Sequence, residues 1–109
     1  LAIGIIFSVF SLGAMAGSGH DHGHSHMPVN QATAKSKATK VIGALVKRSK
    51  LDKSWASVAT TSVKKKTFKG NTEWVAVFVN KKISDVAKQK LYVFLTLGGD
   101  YIAANFTGK

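Results

Sequence analysis

Residues Gly19 to Met27, GHDHGHSHM, contain all four histidines of a 109-residue chain. His20, His22, His24 and His26 stand at every second position, with Asp21 between the first two. In an extended chain alternate side chains point the same way, so the four imidazoles can converge on one ion. Gly23 lets the backbone bend around it. Neutral imidazole suits Zn²⁺, Cu²⁺ and Ni²⁺. Asp21 can add an oxygen ligand or orient a ring from behind. Imidazole titrates near pH ~6.5, so binding is expected to fail in mild acid. If Gly17 were trimmed, Ser18-Gly19-His20 would place His third after a free amine, a square-planar Cu²⁺ or Ni²⁺ chelator. The competing readings are a solvated polar spacer and a cloning-derived tag.

A second concentration of chemistry is VKKKTFKG, in which Lys64, Lys65, Lys66 and Lys69 lie close together. Read functionally this is an anion-binding patch. Read structurally it is a charged edge strand whose lysines oppose edge-to-edge association, and that is the stronger reading. Arg48 is the only arginine, and bidentate phosphate recognition favours arginine, so specific nucleic-acid readout is not expected. The aromatic residues read as core, with Trp74 and Tyr101 the ones expected at the surface. The acids Asp21, Asp52, Glu73, Asp85 and Asp100 form no recognisable pair, and no phosphate loop or nucleophile motif is present. The chain is therefore not expected to be an enzyme, and no organic cofactor is implied.

These residues sit in three segments. Residues 1–16, LAIGIIFSVFSLGAMA, are uncharged and close on Ala14-Met15-Ala16, the pattern of a signal peptide cleaved near Ala16. The run is shorter than the roughly 20 residues of a membrane span. Periplasmic or secreted localisation follows. Residues 17–29 have little to bury and read as a disordered histidine-rich leader. Residues 30–109 read as a single domain. It has no cysteine, so in an oxidising compartment it must rely on its core alone. The formal net charge of +11 arises outside the apolar run and suits solubility or an anionic neighbour.

Within the domain, Asn30 is placed to cap a helix over 30–50, with Ala34, Ala38, Val41, Ile42, Leu45 and Val46 forming an apolar stripe at steps of three and four. LDKSWAS, 51–57, reads as a turn or single helical turn whose Leu51 and Trp55 close one end of the core. Strands are expected at 57–68, 74–79, 91–97 and 101–106, with turns at 69–73 and at Gly98-Gly99-Asp100, where both glycines would take positive φ. Residues 80–90 are polar with weak helical character. The two central strands are apolar on both faces. Trp74, Phe78, Tyr92 and Phe94 are assigned to one face and Val75, Val77, Val93 and Leu95 to the other. The helix should cover one face and leave the second partly exposed or facing a partner. The fold class is α+β, one N-terminal helix packed on an antiparallel β-meander of about four strands.

The apolar opening, the HGHSH leader, the helix, KLDKSW and the terminal LYVFLTLGGDYIAANFTGK together resemble a family of small, uncharacterised bacterial periplasmic proteins. The resemblance covers most of the chain beyond the signal segment and is strongest in KLDKSWAS, TEWVAVFVN and the C-terminal hairpin. It implies export and a single domain, and carries over no catalytic residues. The helix-then-meander order is also similar to PepSY-like domains, which are associated with inhibiting or chaperoning secreted proteins. This sequence is richer in lysine than that family. Two functions are expected on these grounds. The first is non-enzymatic binding of Zn, Cu or Ni through the leader, for buffering or hand-over. The alternative is an interaction module that binds another envelope protein or an anionic polymer or surface.

Overall fold

The computed structural model describes residues 27–109. The apolar opening and the stretch carrying His20, Asp21, His22, His24 and His26 lie outside the described residues. One helix, α1 (Gln31–Lys47), is followed by four strands: β1 (Thr60–Phe68), β2 (Asn71–Val79), β3 (Lys90–Leu95) and β4 (Tyr101–Asn105). They form one antiparallel sheet in the order β1-β2-β3-β4, a meander as the sequence pattern predicts.

α1 starts where Asn30 Oδ1 accepts the Thr33 N–H at 2.8 Å, satisfying one orphan donor of the first turn. Its buried residues are Ala34, Ala38, Val41, Ile42 and Leu45, while Val46, at the edge of the expected stripe, is half-buried. The helix ends before residue 50 because Ser49 turns left-handed, at φ 61°. The Ser49 N–H then donates to Val46 O at 2.9 Å and the Lys50 N–H to Leu45 O at 2.8 Å. This pair of reversed bonds is a Schellman closure, with serine where glycine is usual. It delivers Leu51 into the core, and the 3₁₀ turn Lys53–Ser57 brings in Trp55, 2% exposed. Asp52 caps that turn by accepting the Ser54 N–H at 2.9 Å.

β2 begins at Asn71 rather than at Trp74. The connection after β1 is the two-residue turn Lys69-Gly70, with φ of 49° and 88°. Two successive positive φ values make a type I′ turn, whose twist matches the strands, so pairing starts at once with Phe68 opposite Asn71. Thr67 and Thr72 are next, their hydroxyl oxygens 3.0 Å apart. The β3–β4 connection is longer than a tight Gly-Gly turn. It runs over Thr96–Asp100, and of its two glycines only Gly99 takes positive φ, 92°. Across this pair the register shifts between Phe94 and Leu95, which leaves Ile102 out of step. Helical character in 80–90 is confined to the 3₁₀ turn Val86–Lys88, capped by Asp85.

The assignment of faces from sequence is corrected by the register. Trp74 pairs with Leu95, Ala76 with Val93 and Phe78 with Leu91. Even positions of β2 therefore oppose odd positions of β3. The helix-side core is Trp74, Ala76 and Phe78 with Leu91, Val93, Leu95 and Ala104. Val75 and Val77 share the outer face with Tyr92 and Phe94. Alternation alone cannot show this, because residues 74–79 and 91–95 are apolar on both faces and a one-residue slip exchanges the faces. Full burial of each core leucine contributes about 1.5–3 kcal/mol. Trp74, expected at the surface, is 5% exposed, because its face meets α1 rather than solvent.

Two buried asparagines organise the loops. Asn80, 3% exposed, donates from Nδ2 to Ser54 Oγ at 2.9 Å and accepts the Lys82 N–H at 3.0 Å. Asn105 Oδ1 accepts the N–H groups of Thr107 and Gly108, curling the last residues. Gly108, at φ 80°, then lies against the Tyr92 ring, so closely that a Cβ there would stand 2.9 Å from Cε2.

Candidate functional site

The histidine motif lies outside the described residues, but its attachment point does not. The Val29 N–H donates to Leu97 O at 2.8 Å, fixing the chain to the β3–β4 loop just after the histidines. Gln31 Nε2 donates to Val63 O at 2.6 Å and ties the start of α1 to the edge strand. Among the described residues no group of three or more histidine, cysteine, aspartate or glutamate side chains could hold a metal ion. Also among them, no helix is long and apolar enough to cross a membrane.

The lysine cluster does not form one patch. β1 is an edge strand, and side chains alternate along it. Lys64 pairs with Val75 and Lys66 with Glu73, on the outer face. Lys65 pairs with Trp74 and points to the helix side, its Nζ 5.2 Å from the Trp74 ring centroid. Lys69 sits in the turn. The anion-binding patch read as Lys64, Lys65, Lys66 and Lys69 is therefore split by the pleat of the strand. Lys66 Nζ stands 6.0 Å from the Phe68 ring centroid and Lys90 Nζ 5.8 Å from that of Tyr92. Such stems cover apolar surface while the charge stays in water. Lys90 was not part of the sequence-level patch. Its membership of the outer face follows from alternation with Tyr92, once the register is known.

Between the β1–β2 turn and β4 the outer face sinks into an open depression of about 530 Å³. Phe68, Phe94, Ile102 and Ala103 supply its apolar surface, and Lys69, Glu73 and Lys109 its charges. Phe68 meets Phe94 edge-on, with centroids 5.8 Å apart at 70°. Elsewhere, hydrogen bonds from the Ser54 side chain and backbone hold the Asp52 carboxyl below its ordinary pKa. Burial pushes the Tyr101 phenol up, partly offset by a hydrogen bond with the Ala104 backbone.

The fold and this surface define a small α+β domain with a cationic, partly apolar sheet face. Residues 1–109 match a family described as "Family of unknown function (DUF6488)", and the chain belongs to that family. No curated protein and no solved structure matches the chain.

Proposed function

We propose that this is an exported bacterial envelope protein that binds a divalent transition-metal ion, Zn²⁺, Cu²⁺ or Ni²⁺, and buffers it or hands it on. His20, His22, His24 and His26 are the ligands and Asp21 an auxiliary one. The observation that carries this reading is placement: every histidine of the chain falls within seven residues, at alternate positions, just before Val29 is pinned to Leu97. The folded domain then serves as carrier, and the activity is binding rather than catalysis.

Calorimetric titration of the chain from Gly17 onward with each ion tests this, beside a variant with all four histidines changed to serine. Binding is expected at about pH 7.4 and should be lost near pH 5.5, about a unit below the imidazole pKa. Equal heats from the wild-type chain and the variant would rule the reading out.

A second reading, a PepSY-like module that binds another envelope protein, is favoured by the helix-then-meander order and by the sheet face that α1 leaves uncovered. The two separate on deletion of residues 17–27, which abolishes the first function and leaves the second.

A further inference from the structure

The outer face of the sheet has an apolar floor and a cationic rim. Val75 and Phe94, paired across β2 and β3, are 5% and 4% exposed, although neither belongs to the helix-side core. Phe68 packs edge-on to Phe94 at one end. At the other, the register shift turns out Ile102, which is 41% exposed. Lys64, Lys66, Lys69 and Lys109 border this floor, with Glu73 as the carboxylate among them.

We infer that this face receives an acidic amphipathic segment of another protein, its apolar side chains seated on Phe68 and Ile102 and its carboxylates on the lysine rim. The partner's chemistry follows from complementarity: lysine charges around an apolar depression select acidic and apolar groups together. A second copy of the chain is disfavoured, because each copy carries a formal net charge of +11. Nucleic acid would need ring faces for stacking, and Phe94 is buried with its neighbour edge-on. A flat bilayer is disfavoured because the apolar floor is recessed, whereas a chain segment can enter the depression. The inference rests on the interaction reading and names the face and the partner chemistry for it.

The test uses the chain from Gly17 onward and a fluorescein-labelled helical peptide with glutamates on one side and leucines on the other. Controls are the same peptide with leucines changed to serine, one with glutamates changed to lysine, and phosphatidylcholine vesicles containing phosphatidylglycerol. Anisotropy titration should show binding of the first peptide alone, weakening as salt is raised. Amide shifts in ¹⁵N–¹H spectra should centre on Phe68, Phe94, Ile102 and Ala103. The double reversal Lys66→Glu/Lys69→Glu, and separately Ile102→Glu, should each weaken binding by about tenfold or more. These side chains are exposed, so circular dichroism should be unchanged. Equal binding of the serine control, binding only to vesicles, or shifts that map to another surface would overturn the inference. Failure of every peptide to bind would also overturn the inference, while the interaction reading is judged separately by deletion of residues 17–27.

Discussion

Replacing Asn80 with alanine removes two side-chain hydrogen bonds from a residue that is 3% exposed. One joins Nδ2 to Ser54 Oγ at 2.9 Å and the other brings the Lys82 N–H to Oδ1 at 3.0 Å. The backbone bond from the Asn80 N–H to Gln89 O survives. At about 1 kcal/mol net per bond, Asn80→Ala should cost about 2 kcal/mol. For a domain of this size that lowers Tm by on the order of 10 °C. Ser54→Ala instead leaves Nδ2 as a buried donor without a partner, at about 1–2 kcal/mol. The Ser54 hydroxyl also supports Asp52, so the three side chains form a chain from the end of β2 to the cap of the 3₁₀ turn. The double variant should therefore cost about 1 kcal/mol less than the two single costs together. Urea unfolding followed by tryptophan fluorescence measures all three, since Trp55 is adjacent to Ser54 and buried. Strict additivity, or a cost below about 0.5 kcal/mol for Asn80→Ala, would refute the assignment of Asn80 as the tie between these loops.

Gly43 lies in the interior of α1, exposed, with open space where a Cβ would stand. Gly43→Ala should stabilise the domain by about 1 kcal/mol, read as a rise in urea midpoint with unchanged slope. At Lys69, φ 49° is a conformation that asparagine adopts more readily than lysine. Lys69→Asn should stabilise by a few tenths of a kcal/mol, roughly 0.3–1, whereas Lys69→Val should destabilise in the same assay. The folded protein holds the Tyr101 proton more tightly than the unfolded chain does, because burial raises the phenol's pKa above its ordinary 10.0. Its contribution is complete below that unfolded value and is lost as pH rises through the folded one. Tyr101→Phe should accordingly flatten the fall in stability above about pH 10, and an unchanged slope would contradict the assignment.

Local features of the chain are legible because they depend on neighbours in sequence. The α1 stripe, the Asn30 cap, the turn that carries Leu51 and Trp55, and the order of four strands all follow from spacing and from residue type. The histidine motif is of the same kind: its case rests on alternation within seven residues and needs no tertiary contact to be stated. Strand and helix ends were less legible. Ser49 and Lys69 take left-handed conformations that sequence preference assigns to glycine or asparagine. The fold imposes them because Leu51 must reach the core and Phe68 must face Asn71.

The faces of the sheet were decided only in three dimensions. The paired stretches 74–79 and 91–95 are apolar on both faces, so pattern is silent on which side each residue takes, and the register Trp74 to Leu95 settles it. That choice buries Trp74 under α1 and puts Phe94 on the opposite face. Alternation along β1 separately sends Lys65 to the helix side, away from Lys64 and Lys66. The buried roles of Asn80 and Asn105 were equally invisible, since an asparagine in a loop reads the same whether solvent or Ser54 satisfies its amide. Sequence determines what each segment can form by itself. Pairing across the sheet determines which side chains meet, because a shift of one residue reverses every face.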